Sequence, residues 1–286
     1  MILDPTVGMT GALQNSAAID SKGLDVVLNT LNVNSGIKWR TTLLFNYVAY
    51  KVSKNLNPPS ADGLVSDGTY IFPVVGYNPY EIASYQWAGL DPQTGDPMGY
   101  VNGQPSKDYQ AIAKNPIQQQ VVSGPALPPF FGTLRNTIDW HHFSLAVNIT
   151  YKLAYYFRRP TLNYTALFTY GTGYSEYDQR WLKPGDEKFT NVPSLVYPAN
   201  ALRDNFYHYA AINVERADNV KLNDVYLSYD LIPKHSIMGL KAVRFYGYAS
   251  QLNLLVWKAN RSGIDPDILY AVKPPCTFSV GLKTDL

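Results

Sequence analysis

The run FSLAVNITYKLAYYF at residues 143–157 puts Phe143, Leu145, Val147, Ile149, Tyr151, Leu153, Tyr155 and Phe157 on one face. Ser144, Ala146, Asn148, Thr150, Lys152, Ala154 and Tyr156 fall on the other. A period of two belongs to a β-strand; helical spacing would mix the two sets. Strands of soluble sandwiches usually stop after about five or six residues. A strand that crosses a bilayer needs roughly 9 to 11 tilted residues and carries aromatic side chains where its apolar band meets the headgroups. Phe143 at one end and Tyr151, Tyr155 and Phe157 at the other fit those positions. The expectation is a strand of an outer-membrane β-barrel, with a long soluble hairpin as the alternative.

The same alternation recurs along the chain. Residues 1–20 read as a loop, and then Leu24, Val26 and Leu28 share a face. Asn34-Ser35-Gly36 turns the chain, because Asn and Gly tolerate the positive φ of a tight hairpin, and a return strand runs over residues 37–52. On it Ile37, Trp39, Thr41, Leu43, Phe45, Tyr47 and Ala49 line up. A second hairpin brings Leu134, Asn136, Ile138 and Trp140 up to a His141-His142 bend. Further strands are expected over 220–231, 243–256 and 274–286, the first two joined by a connection containing Pro233. Between these elements lie two long irregular stretches, 53–131 and 158–217, and a shorter one through Trp257 and Asp265-Pro266.

Short and long connections therefore alternate, as tight periplasmic turns and long extracellular loops do in an outer-membrane barrel. The fold class expected is all-β: an antiparallel transmembrane barrel segment of about seven strands, incomplete as a barrel, with long extracellular loops. Seven strands cannot close by the even-number rule of single-chain bacterial barrels, and an open edge in lipid leaves backbone groups without partners. The start MILDPTVGMTGALQ lacks a basic stretch followed by an apolar one. For an outer-membrane protein the expectation is then that Met1 is not the natural beginning.

Composition narrows the function classes. Lys and Arg number 24 against 22 Asp and Glu, a net charge of +2 with no basic block, so nucleic acid is not expected as a partner. With 23 Tyr, 20 Gly and 20 Pro, the chain favours strands joined by loops over helix bundles. No stretch is apolar enough for a transmembrane helix. Cys276, the single cysteine, falls in phase with the apolar face of the last strand and reads as a small apolar residue.

Four stretches carry a family resemblance: YQWAGLDPQTGDPMGY at 85–100, GTLRNTIDWHHF at 132–143, NVKLNDVYLSYDL at 219–231 and VRFYGYASQLNLLVWKANRSGIDPDI at 243–268. With the closing PPCTFSVGLKTDL, they resemble the C-terminal barrel region of the SusC/RagA family of TonB-dependent outer-membrane transporters. The resemblance extends over nearly the whole sequence. It implies a barrel of about 22 strands filled by an N-terminal plug, energy from the TonB complex, a SusD-like surface lipoprotein as a lid, and glycan or peptide cargo. Residues 1–286 would be its C-terminal part, with the plug and the N-terminal strands outside it. The family usually ends in an aromatic residue read by the assembly machinery, where this sequence has Leu286.

Little in the chain points to catalysis or to a cofactor. A G-x-S-x-G elbow, a Walker loop and G-x-G-x-x-G are all missing, and GTGYSE from Gly171 only begins like the last. His141 and His142 would point to opposite faces of a strand, and no third metal ligand is evident, so a turn is the better reading. Asp91, Asp96, Asp265 and Asp267 lack the spacing of a calcium loop; capping of turns before Pro and Gly is expected instead. The sequons at Asn148, Asn163 and Asn260 occur at chance frequency. Tyr85, Trp87, Tyr100, Tyr174, Tyr177 and Trp181 are the candidate substrate-binding residues, as rings that can stack on sugars or else pack loop against loop. The function expected is nutrient import through the outer membrane. A truncated, non-transporting outer-membrane or surface β-protein is the alternative, and a soluble sugar-binding sandwich the third reading.

Overall fold

A computed structural model of the chain describes residues 17–56, 64–232, 241–269 and 272–285. The first half contains β1 (Ala17–Asn34), β2 (Ile37–Asn55), β3 (Ser66–Asp67), β4 (Glu81–Ser84), β5 (Gly99–Val101), β6 (Gln104–Ser106), α1 (Tyr109–Ile112), β7 (Val121–Pro125) and β8 (Phe130–Trp140). The second contains β9 (Phe143–Leu153), β10 (Tyr156–Arg158), α2 (Tyr164–Tyr170), α3 (Ala201–Tyr209), β11 (Val214–Arg216), β12 (Asn219–Leu231), β13 (Ala242–Ser250), β14 (Leu254–Lys258) and β15 (Thr277–Asp285). The described residues fall into two units. A sheet unit takes those within 23–48, 127–160 and 215–286, and a loop unit takes those within 17–22, 49–126 and 161–214.

The sheet runs β1-β2-β8-β9-β12-β13-β15, with β14 also paired to β12, so the seven expected strands are its backbone. Every pair with a defined register is antiparallel. Val147 faces Asn136 on one side and Val225 on the other; Leu145 likewise lies between Ile138 and Leu227. The apolar residues read from period two thus share one face across neighbouring strands.

β12 shows how strictly that face is kept. Its apolar residues are Val220 and Leu222, then Val225, Leu227, Tyr229 and Leu231, so the spacing breaks between 222 and 225. A bulge sits at that place: Leu222 pairs with Ile149 and Asp224 with Asn148, leaving Asn223 as the extra residue. One inserted residue brings both halves of the strand onto the same face.

This sheet is inside out relative to a soluble one. Apolar side chains lie exposed, Phe278 at 75% and Val280 at 91%, while Ala146 and Ser228 on the polar face are buried. Rings collect in two rows on the apolar face. Near the short turns, Trp140 stacks on Phe143 at 6.4 Å and Phe143 meets Tyr229 at 4.8 Å. Toward the long connections, Phe130 lies 4.9 Å from Tyr47 and 6.3 Å from Phe45, and Tyr151 joins them by donating its hydroxyl to the Leu44 carbonyl at 3.0 Å. β1 and β15 end the path with a free edge among the described residues.

Several boundaries differ from the sequence expectation. β9 stops at Leu153 because Ala154 takes φ +64° and turns the chain. Tyr155 and Phe157 therefore leave the aromatic row and are buried with Ala217, Ile264 and Leu269. The strand expected over 243–256 is two, β13 and β14, separated by Gln251 and Asn253 at φ +54° and +44°; both pair with β12, on either side of its bulge. β2 reaches Asn55, β1 begins at Ala17 within the stretch read as a loop, and β15 begins at Thr277, which leaves Cys276 exposed just before the strand. Residues 1–16, the Pro233 connection and Leu286 lie outside the described residues.

The stretches read as irregular are folded in the loop unit. β3, β4 and β7 make a small antiparallel sheet and β5 and β6 a hairpin. α2 starts where the Asn163 side chain accepts the Ala166 amide at 2.7 Å and stops at Gly171, whose φ of +65° a side chain would resist. α3 is capped by Asn200, which accepts from the amides of Leu202 and Arg203. Buried clusters centre on Phe206 with Tyr85 and Ile112, on Tyr164 with Tyr207 and Leu162, and on Phe72 with Ala83 and Ile117.

Candidate functional site

The polar face of the sheet carries the first candidate site. On it Arg40 Nη2 reaches Asp139 Oδ2 at 2.5 Å, and Arg244 binds Asp230 in a fork, Nε to Oδ1 at 2.5 Å and Nη2 to Oδ2 at 2.8 Å. These pairs bridge neighbouring strands around a recess of about 850 Å³, whose lining includes Lys38, Tyr226 and Ser144. Tyr226 lies 6.0 Å from the Tyr246 ring and 6.3 Å from that of Tyr248, so tyrosine faces border the charged recess. The sequence reading assigned this face a polar character and named Ser144 on it, but none of the charged residues around the recess; the signal was their place at alternate positions to the apolar ones. His141 takes φ +52° and forms the bend with His142, whose carbonyl accepts the Asp230 amide at 2.8 Å.

The second candidate is the loop unit, which holds the six loop aromatics. Tyr85 is buried, stacked on Phe206 at 5.7 Å, and Trp87 lies nearly parallel to Phe206 at 6.3 Å. Tyr174 and Tyr177 are half-buried against the cluster of Leu162, Tyr164, Val192 and Tyr207, and Arg180 sits 4.0 Å above the Tyr177 ring. Trp181 is buried against Gly95, where an added Cβ would lie 2.4 Å from the indole. Tyr100, on β5, is half-buried. Trp87, Tyr174 and Tyr177 thus share the Tyr164–Tyr207 cluster, and Trp87 also packs on the Phe206 cluster that holds Tyr85. The most exposed rings of the unit are others, Tyr70, Tyr170, Phe189 and Tyr197, each at least 78% exposed, and no alternation or motif marks them in the sequence.

Charge braces this unit internally. Asp91 Oδ1 accepts the amides of Gln93 and Thr94 at 2.8 and 3.1 Å, which is the turn capping expected of it. Its other oxygen takes Lys107 Nζ at 2.7 Å. The Lys107 hydrogen bond, with the two amides, holds the Asp91 carboxyl below the usual carboxylate range. Asp96 binds the buried Arg203 at 2.7 Å, and Arg203 also donates to the Ser194 carbonyl at 2.8 Å. Burial pushes the Tyr164 phenol up, and its hydroxyl donates to the Pro193 carbonyl at 2.8 Å.

Asp265 and Asp267 belong to the sheet unit. They clasp Lys221 at 2.7 and 2.6 Å, and Asp267 also takes Lys152 at 2.8 Å. All four aspartates flagged as calcium candidates thus have lysine or arginine as partners. Among the described residues no group of three or more His, Cys, Asp or Glu is placed to hold a metal ion. No described helix is long and apolar enough to cross a membrane.

No family model matches the sequence, and no curated protein does. Solved structures do resemble the fold. The RagAB peptide transporter matches 99% of this chain with a TM-score of 0.67 at 20% identity. The RagAB peptide importer matches with a TM-score of 0.70 in its open-open state, at 19% identity over 100% of this chain, and equally in its closed-closed state, at 20% over 99%. The chain spans 31% of the length of each of those chains.

Proposed function

We propose that this chain is the C-terminal barrel part of a TonB-dependent importer in the outer membrane, taking up peptides with the help of a SusD-like surface lipoprotein. The observation that carries the reading is the inverted sheet. Its apolar face is exposed over several strands, where soluble monomers rarely leave a contiguous apolar patch of more than a few hundred Å², and is bounded by two rows of rings. Lipid is the solvent that makes such a face stable, and a sheet with open edges in lipid needs further strands to close it. The fold shared with RagAB peptide importers supports peptide cargo over the glycans that the resemblance in sequence also allows.

In this reading the chain performs no covalent chemistry. The apolar face holds it in the bilayer, and the polar face, with its Arg40–Asp139 and Arg244–Asp230 pairs, lines the lumen. The loop unit forms part of the surface for cargo and lid. There the half-buried Trp87, Tyr100, Tyr174 and Tyr177 offer ring faces, and the buried Tyr85 and Trp181 hold the loops that carry them. Coupling to the TonB complex runs through the plug and N-terminal region of the complete transporter.

An immunoblot of outer membranes with an antibody against residues 274–286 tests the reading. The expected band is roughly three times the 32.0 kDa of this chain, given that it spans 31% of the RagAB chains, in a strain whose peptide uptake falls when the gene is disrupted. A 32.0 kDa band in that fraction with unchanged uptake would favour the truncated, non-transporting protein, and a band in the soluble fraction would overturn both.

A further inference from the structure

Residues 260–269 fold back over the polar face of the sheet, and the way they are attached is unusual. At one end the Asn260 side chain accepts the Gly263 amide at 3.0 Å and donates to the Ile264 carbonyl at 2.9 Å, closing a small loop. Glu215 takes the amides of Arg261 and Ser262 at 2.9 and 3.1 Å. Ile264 and Leu269 rest on Tyr155, Phe157 and Ala217. Between these anchors, Asp265 and Asp267 meet two lysines that belong to the strands, Lys152 on β9 and Lys221 on β12. The register places both lysines on the polar face.

Lys221 decides the behaviour of this clasp. Its side chain is only 5% exposed, and the two aspartates of the segment are the acids that compensate its charge. A buried ammonium stripped of its partners is strongly unfavourable. If both carboxylates are lost, Lys221 must give up its proton or gain water in their place, and either outcome removes the charge that holds residues 260–269 to the strands. The charged groups facing the segment are Lys152 from β9, Lys221 from β12, Lys258 from β14 beside Gly263 and, beyond the strand ends, Glu215, Arg216 and Asp218; Arg216 is engaged with Asp218. Burial raises the Asp267 carboxyl, but the hydrogen bonds from Lys152 and Lys221 outweigh it and hold the group below the ordinary range.

We propose that residues 260–269 are a strap latched by charge, closed over the polar face where β9 and β12 meet the long connections, and able to swing off as a unit while the sheet stays paired. Its effect on the passage of cargo rests on the transporter reading; the latch itself does not.

Hydrogen exchange on the full chain in its membrane separates the two. In an Asp265→Asn, Asp267→Asn double variant, amides of residues 261–269 should exchange at least ten times faster than in the wild type, with those of the β8 and β9 pairing unchanged. Unchanged exchange in the strap, or acceleration of β9 and β12 together with it, would overturn the proposal. Lys152 is 40% exposed in its side chain, so Lys152→Met leaves the fold intact and keeps the test open if the double variant fails to assemble. A smaller acceleration confined to 261–269 supports the latch, and none overturns it.

Discussion

Gly132 shows how closely single positions are specified. It pairs with Phe45 and with Tyr151, and an added Cβ would come within 1.9 Å of the Leu44 carbonyl oxygen and 2.6 Å of the Tyr151 hydroxyl. The Tyr151 ring lies across the space that a side chain would fill and reaches Leu44 with its hydroxyl. Gly132→Ala should cost about 1–3 kcal/mol, the usual scale of overpacking, and Tyr151→Phe about 0.5–1.5 kcal/mol for one lost hydrogen bond. Urea unfolding in lipid vesicles would measure both. Val147 makes the complementary point. It occupies the middle of the apolar face between Asn136 and Val225, so Val147→Arg should cost on the order of 2–4 kcal/mol at mid-bilayer. Wild-type surface levels of that variant, read by labelling intact cells, would contradict the membrane placement. Val147 was legible as a member of a face; the contact that requires Gly132 was not, because it depends on a partner strand about 90 residues earlier in the chain.

At the scale of elements, alternation identified the long strands and failed where the backbone departs from it. Ala154, Gln251 and Asn253 take positive φ with no glycine to announce the turn, so the strands expected over 143–157 and 243–256 ran past their ends. The loop unit was less legible still. Its helices are short, capped by Asp108, Asn163 and Asn200, and many of its apolar residues meet through distant pairings such as the bridge between Tyr85 and Ala210. Whether a ring packs or stays open is decided by the fold and not by its neighbours in sequence. The bulge in β12 offers a sharp test. Deleting Asn223 should leave Val220, Leu222, Val225 and Leu227 on one face and permit assembly. Deleting Tyr226 should either keep the bulge and turn Leu227 and Tyr229 toward the polar side, or lose it and carry Asp224 onto the apolar face and Val225 off it; both prevent assembly. Heat-modifiable migration of the two variants on gels, where only the assembled barrel runs compactly, distinguishes these outcomes.

For the whole molecule, the edges that β1 and β15 leave free among the described residues set the terms of existence. Each unpaired backbone group in hydrocarbon costs several kcal/mol, so residues 17–285 produced alone should aggregate or be degraded rather than run as a monodisperse particle in detergent. A sharp monomer peak on size exclusion would refute that and revive a self-sufficient protein. The two rows of rings carry one more consequence. Phe143 and Tyr151 stand eight residues apart on one strand, which at a tilt near 40° corresponds to about 20 Å along the normal. On the transporter reading, the protein is therefore cut to a thin membrane. Placed in vesicles of long-chain lipid, it would have to pinch the surrounding bilayer or stand more upright, and its own dimensions would steer it toward the thinner of the two membranes of a cell that has both.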